Sequence, residues 1–125
     1  MERALRLRKN SDFQRLYRRG EAYYNRQFKV LCRKNGRKTN RYGFSISKKM
    51  GKATARNRLK RRLREIVRHH EAAFPQGYDF AFVPREGVQE LSYADLEKSV
   101  LHLLTLRERR ASLRKPRNSE GSRKS

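Results

Sequence analysis

Residues 51–68 read GKATARNRLKRRLREIVR, and this stretch predicts one amphipathic helix with two opposed faces. At ~100° per residue, the apolar positions fall on one arc that can pack on a core: Leu59, Leu63, Ile66 and Val67. The opposite side carries a polar line at i, i+4, i+7 and i+11: Asn57, Arg61, Arg64 and Arg68. Because arginines stacked on one line repel each other, a polyanion such as a nucleic-acid backbone would stabilise this helix.

The composition of the whole chain indicates the same class of partner. Its 125 residues contain 34 Lys and Arg against 12 Asp and Glu, a formal net charge of +22. A protein this basic gains affinity by releasing counterions from phosphates. No apolar run is long enough to span a membrane, and the charged N-terminus lacks the apolar core of a signal peptide. We therefore expect a cytoplasmic protein that binds RNA or DNA.

The other helices are predicted from their caps. Ser11 begins a capping box, and Gly20 ends the helix that follows it. The arginine-rich helix extends to about Phe74, and Ser92 caps a last helix that ends near Leu106.

Alternating apolar residues predict strands over residues 23–33, 41–47 and 78–83 and leave open a short strand near 21–24. In the strand of residues 23–33, the alternation also places Leu31 on the face opposite the core. The order α-β-β-α-β-α predicts an α+β fold, a two-layer sandwich with a small central sheet.

The chain is expected to form one domain. Hydrophobic residues make up only 35% of the sequence, which allows a small core over residues 10–106. A basic arm (1–9) precedes this domain, and a disordered basic tail (107–125) follows it. Cys32 is the only cysteine and cannot form an intramolecular disulfide, so a buried packing role in a strand is expected.

No constellation of residues predicts catalysis by the protein itself. His69 and His70 are adjacent on a helix and point ~100° apart, so they cannot share a metal ion. The acidic residues are scattered without the pairs typical of two-metal nucleases, and no glycine-rich phosphate loop follows a strand. We expect neither catalytic residues nor a metal site in this chain.

Phe13 and Tyr17 lie one turn apart on the first helix, beside basic residues. Exposed rings at this spacing can stack on the bases of a single strand, while the same spacing also fits two core residues. The sequence alone leaves both interpretations open.

The second predicted strand has one face with almost no side-chain bulk, formed by Gly43, Ser45 and Ser47. Such a face is typical of a groove wall or of tight helix packing. Lys48 and Lys49 follow directly and place positive charge at the mouth of any groove. A helix-turn-helix DNA reader is disfavoured, because strands flank the arginine-rich helix.

Several segments resemble, in matching order, motifs of the bacterial ribonuclease P protein subunit. The central one is ARNRLKRRLR (55–64), which contains the family's "RNR" signature. The others are FQRLYRRG (13–20), NRQF (25–28), GFSISKKMG (43–51), YDFAFVPR (78–85) and the helix of residues 91–104. The resemblance covers about residues 3–106.

This resemblance implies a ribonucleoprotein endoribonuclease that removes the 5′ leader from precursor tRNA. The RNA subunit carries the catalysis and binds most of the Mg²⁺. The protein binds the catalytic RNA and the leader, with neither DNA nor membrane as a partner. The resemblance also implies a left-handed β-α-β crossover, against the usual right-handed rule.

The resemblance assigns roles to individual residues. Contacts with the catalytic RNA fall on the "RNR" region, to which the helical line adds Arg68: Arg56, Asn57, Arg58, Lys60, Arg61 and Arg64. The leader cleft comprises two rings of the first helix and residues of two strands, with Lys48 and Lys49 at the exit: Phe13, Tyr17, Lys29, Leu31, Ser45 and Ser47. Tyr17 stands where Phe is frequent, and Leu31 stands where an aromatic can occur.

Two other classes of protein share this charge and size. An RNA-packaging protein, such as a ribosomal protein, would not raise multiple-turnover cleavage by an RNA. An intrinsic protein nuclease would cleave RNA without any RNA subunit.

Overall fold

The computed structural model describes the backbone of residues 6–7 and 10–119 and the side chains of residues 6–7 and 11–110. The elements are α1 (Asn10–Arg19), β1 (Glu21–Tyr24), β2 (Phe28–Lys34), β3 (Arg41–Phe44), α2 (Ala53–His69), β4 (Tyr78–Pro84) and α3 (Tyr93–Ser119). Single 3₁₀ turns occupy Lys48–Met50, Glu71–Ala73 and Val88–Glu90. The predicted α+β class is confirmed, and the strand left open by the sequence is β1.

The strands form one mixed sheet of four strands in the order β1-β2-β4-β3 within the described chain. β2 pairs antiparallel with β1 and β4, whereas β3 and β4 are parallel neighbours. Helix α2 is therefore the crossover between two adjacent parallel strands, as the resemblance implies. The left hand of this crossover stays a prediction.

One face of the sheet carries the main core. β2 alternates as predicted, with Phe28, Val30 and Cys32 buried on this side. They pack with the apolar faces of α2 and α3, formed by Leu59, Leu63, Ile66, Val67, Leu96, Val100, Leu103 and Leu104. Burial raises the pKa of the Cys32 thiol, in keeping with a packing role.

Helix α1 covers part of the opposite face. Leu16 packs with Leu31 of β2, Ala81 of β4 and Leu7 in a smaller second cluster. Leu7 N also donates to the carbonyl of Tyr42 at 2.8 Å, so this part of the predicted basic arm belongs to the fold. Helices thus lie on both faces of the sheet, and α1 adds a partial third layer to the predicted sandwich.

Several predicted boundaries differ from the structure. Helix α1 begins at Asn10, one residue before the predicted cap. Helix α2 ends at His69 rather than Phe74, because His70 leaves helical geometry and its ring meets Glu97 of α3 at 2.7 Å. β3 ends at Phe44, since Ser47 caps the 3₁₀ turn that leads the chain away from the sheet.

Helix α3 continues to Ser119, whereas the sequence predicts its end near Leu106 and a disordered tail from residue 107. The extra turns make contacts that composition does not reveal. The Arg107 guanidinium lies 4.7 Å from the ring centroid of Tyr78, and that of Arg110 lies 5.2 Å from the ring centroid of Tyr23. Residues 1–5, 8–9 and 120–125 of the predicted arm and tail lie outside the described residues.

Candidate nucleic-acid interface

A tight turn sets the start of α2. Ser47 Oγ accepts a hydrogen bond from Lys49 N at 3.1 Å. Gly51 then adopts a φ of 117°, a conformation that favours glycine. Arg56 Nε donates to the Gly51 carbonyl at 3.2 Å and ties the first turn of the helix to this loop. Lys48 and Lys49 are exposed on the same turn, directly before the helix.

The N-terminus of α2 is electropositive. Lys52 occupies the cap position without a side-chain hydrogen bond, and the first helical turn contains no acidic residue. The first N–H groups of a helix lack intrahelical partners and carry the positive end of its dipole. With exposed Lys48, Lys49 and Lys52 directly before it, this helix end suits a phosphate group.

The polar face of α2 divides into two sets. Four predicted RNA-binding side chains are exposed: Asn57, Arg58, Arg61 and Arg68. Arg68 is partly neutralised, because it donates to Glu65 at 2.9 Å. Lys60 and Arg64 are half-buried instead and lie on the flank of α2 that faces β3 and α1. The predicted exposed line therefore does not include Arg64.

Lys60 and Arg64 line a cavity of ≈ 190 Å³ together with Arg6 and Phe13. Burial and the neighbouring charge of Arg6 lower the pKa of the Arg64 guanidinium. None of the described residues that line this cavity is acidic. The cavity is therefore a cationic space of a size that accepts a phosphate group.

Phe13 forms the wall of this cavity beside the sheet. Its ring lies directly over Gly43, where a Cβ atom would be 2.5 Å from the ring Cζ. Of the two interpretations of the small strand face, tight packing thus applies at Gly43. Phe13 remains only half-buried, so its free part faces the same space as Lys60 and Arg64.

An aromatic cluster is formed by the two exposed rings of Tyr17 and Tyr24, with Lys29 beside them. Lys29 Nζ lies 5.7 Å from the ring centroids of both Tyr17 and Tyr24. Tyr17 is 48% exposed and Tyr24 is 53% exposed, which leaves their rings open to stacking on bases. Tyr24 was missed because a single strand over residues 23–33 hides the hairpin that pairs Tyr24 with Lys29.

The remaining predicted cleft residues lie in different environments. The structure corrects the role of Leu31, because its side chain is only 3% exposed and packs beneath α1. The alternation placed it on the correct face, but no local pattern shows that a helix covers that position. Ser45 is half-buried and bonds through its N–H to the Phe82 carbonyl at 2.9 Å, while the exposed Ser47 serves as a cap.

No cluster of three or more His, Cys, Asp or Glu side chains that could hold a metal ion occurs within the described residues. In the same part of the chain, no helix is long and apolar enough to cross a membrane.

Comparison with known proteins assigns the family. The family model described as Ribonuclease P matches residues 1–107. The chain belongs to the ribonuclease P protein family. The ribonuclease P protein component of Finegoldia magna is 43% identical over 103 residues, which cover 82% of this chain and 90% of that protein. The one from Streptococcus pneumoniae serotype 4 is 37% identical over 106 residues, which cover 85% and 86%.

Solved structures of ribonuclease P proteins share the fold. A Staphylococcus aureus RNase P protein mutant with defective mRNA degradation activity has a TM-score of 0.79 at 35% identity, covering 86% of this chain and 92% of that one. The RNase P protein from Thermotoga maritima has a TM-score of 0.74 at 38% identity, covering 79% and 94%. The predicted family is thus confirmed, and the chain is a protein component of a ribonuclease.

Proposed function

We propose that this chain binds the catalytic RNA of ribonuclease P and the 5′ leader of precursor tRNA, and so assists endonucleolytic removal of the leader. The observation that carries the proposal is the cationic cavity in which Lys60 and Arg64 of α2 meet Phe13 of α1. It makes the "RNR" helix and the predicted leader-binding helix parts of one continuous surface.

The catalytic RNA is assigned to the outer face and N-terminus of α2. Asn57, Arg58 and Arg61 are exposed there and can reach phosphate oxygens, and arginine suits bidentate contacts with them. Arg56 is held against Gly51, so its role is to fix the direction in which this face points.

The leader is assigned to the side of α1 that carries Tyr17. Its ring and that of Tyr24 offer stacking surfaces without sequence preference, and Lys29 between them supplies a charge for the leader backbone. Phe13 continues this surface toward the cationic cavity and α2.

Cleavage chemistry is assigned to the RNA subunit, whose bound Mg²⁺ supplies the hydrolytic step. The protein's side chains bind and orient the two RNA molecules. This division makes a precursor tRNA and the catalytic RNA the partners of the chain.

The test is cleavage of precursor tRNA by a bacterial ribonuclease P RNA at low Mg²⁺, with and without this protein. One substrate carries a leader of several nucleotides, and a second carries a leader of one nucleotide. We expect a protein-dependent gain in kcat/KM that is larger for the longer leader. No gain for either substrate, despite tight RNA binding, would favour the RNA-packaging class.

Tyr17 provides a sharper test of the leader assignment, because its exposed ring contributes little to the core. We expect Tyr17→Ala to weaken holoenzyme binding of the longer precursor by about tenfold, in keeping with ~1–3 kcal/mol per stacked base. Binding of mature tRNA should not change. Tyr17→Phe keeps the ring and should bind like the unmodified protein. Equal losses for precursor and mature tRNA would contradict a contact with the leader.

A further inference from the structure

A second polar cavity, of ≈ 280 Å³, lies on the flank of α1 that faces away from Tyr17. Arg15 and Arg19 line this cavity. Each is two residues from Tyr17 in the sequence, so its side chain points ~200° around the helix axis from that of Tyr17. The other wall is the end of β2, where Arg33 and Lys34 lie. Neither the "RNR" helix nor the aromatic cluster contributes to this cavity.

The acidic residues of this cavity are already paired. Asp79 accepts hydrogen bonds from Arg41 Nε at 2.9 Å and from Arg41 Nη2 at 2.7 Å, and Asn35 Nδ2 donates to it at 2.9 Å. Asp12 Oδ2 lies 3.5 Å from Arg41 Nη1. The Arg41 and Asp79 side chains are only 14% and 11% exposed, so this ion pair forms a fixed floor.

Four cations remain above this floor without an acidic partner. With the described residues, no side-chain hydrogen bond or ion pair is formed by Arg15, Arg19, Arg33 or Lys34. Arg15 and Arg19 stand one turn apart on α1, a spacing at which like charges destabilise a helix. Bound phosphates would relieve this repulsion, and the volume of ≈ 280 Å³ leaves room for them.

We propose that this cavity is a second RNA-binding site, which takes a phosphodiester segment of structured RNA. Helix α1 is about 10 Å wide with its side chains, and it separates this cavity from the Tyr17 cluster. A leader bound along the Tyr17 side therefore does not supply the phosphates bound here. They come from a second RNA segment, either of the catalytic RNA or of the body of the precursor tRNA, so that α1 is held from both flanks. This inference rests on the proposed RNA partners.

Three double variants, each removing two positive charges, test this site. Arg15→Gln/Arg19→Gln changes its helix wall, and Arg33→Gln/Lys34→Gln changes its strand wall. Lys98→Gln/Arg109→Gln is the matched control, because both residues are exposed on α3 and have no polar partner among the described residues. Dissociation constants are measured over a series of KCl concentrations, for ribonuclease P RNA alone. They are also measured for holoenzyme binding of precursor tRNA with a one-nucleotide leader.

We expect each wall variant to raise the dissociation constant about tenfold and to lower the slope of its salt dependence by about one phosphate contact. The control should change the dissociation constant by less than about twofold. Because both walls hold one RNA segment, a variant that carries both double changes should lose less affinity than the product of the two separate fold-losses. Loss of affinity for the RNA alone identifies the catalytic RNA as the ligand. Loss only in the holoenzyme identifies the precursor tRNA.

Wall variants that match the control in both assays would overturn the second site. An Arg61→Gln variant on α2, measured in parallel, keeps this outcome distinct from failure of the proposed function. If Arg61→Gln weakens binding and the wall variants do not, only the second site is wrong. If none of the variants differs from the control, the proposed RNA contacts of α2 are wrong as well.

Discussion

At residue scale, the position of Phe13 depends on the absence of a side chain at residue 43. A Cβ atom on Gly43 would lie 2.5 and 2.8 Å from two atoms of the Phe13 ring and 2.9 Å from Leu7 Cβ. These contacts are too short for real atoms, so Gly43→Ala must displace α1 or the ring. We expect a loss of about 1–3 kcal/mol in the free energy of unfolding, measured by urea denaturation.

The control for this prediction is the Phe13→Leu background. Leucine lacks the two ring atoms that approach residue 43 most closely, whereas Leu7 stays in place. Gly43→Ala should therefore cost less in Phe13→Leu than in the unmodified protein, with a coupling of at least ~0.5 kcal/mol. The same cost in both backgrounds would show that the ring is not the obstacle.

Tyr42 makes the free energy of unfolding depend on pH in the alkaline range. It is 1% exposed, and burial raises its pKa from 10.0 to about 12. The pKa is higher in the folded protein, so the neutral phenol contributes stability that is complete below pH ~10 and is lost as pH rises toward 12. A shift of two units corresponds to about 3 kcal/mol at most.

The comparison with Tyr42→Phe isolates this effect, because all other titrating groups are shared. Near pH 8 the variant should be less stable by about 1 kcal/mol, since Asn40 Nδ2 loses the phenol oxygen that it contacts at 2.9 Å. Above pH ~11 the order should reverse, because phenylalanine cannot ionise. A difference in unfolding free energy that stays constant between pH 8 and 12 would contradict the raised pKa.

At the scale of elements, the turn of α3 that contains Arg107 and Arg110 holds the helix to the sheet through arginine–aromatic contacts. Arg107 lies over Tyr78 and Arg110 over Tyr23, and Arg110 also donates to the Ala22 carbonyl at 3.4 Å. We expect Arg107→Gln/Arg110→Gln to lower the free energy of unfolding by about 1–3 kcal/mol. Arg109→Gln, on the same helix without such a contact, should change it by less than ~0.5 kcal/mol. Equal urea midpoints for the two variants would contradict this role.

The elements that the sequence predicts best are those with long regular patterns. The seventeen-residue helix α2 and the alternation of β2 and β4 were read correctly apart from their ends. The sequence did not predict where β1 ends and β2 begins, because no glycine or proline marks that break. Asn25 makes this turn by accepting hydrogen bonds from the N–H groups of Gln27 and Phe28 at 3.0 and 2.8 Å. Its own amide is anchored on Ser99 of α3, a tertiary contact that no local pattern contains.

In the candidate site too, features set by local sequence patterns were predictable and features set by tertiary contacts were not. The exposed residues of α2 could be identified from one helix, since their direction follows from helical periodicity. The burial of Leu31 and the turning of Lys60 and Arg64 into a cavity could not, because both depend on where α1 and Leu7 lie on the sheet. Tyr24 was missed for a related reason, as its partner Lys29 comes from the neighbouring strand.

At the scale of the whole molecule, positive charge is concentrated on surfaces that face away from the core. Cations with few acidic partners lie in three places: the outer face of α2, the cavity at Arg64, and the cavity on the flank of α1 that faces away from Tyr17. With a formal net charge of +22, repulsion among these surfaces destabilises the compact state relative to the expanded chain. Anions that bind only the folded protein should therefore shift the equilibrium toward it.

We expect millimolar sulfate to raise the melting temperature far more than sodium chloride of equal ionic strength, as followed by circular dichroism. General screening and surface exclusion act only weakly at such concentrations, whereas a site-bound anion adds about 2.7 kcal/mol when its concentration is 100 times Kd. Arg64→Gln reduces the charge of one cavity without adding bulk, and the increase should be smaller in that variant. The gain should also saturate with sulfate, as binding to discrete sites requires. Equal shifts with sulfate and chloride would show that screening alone relieves the repulsion, and that the cationic cavities are not anion sites in the free protein.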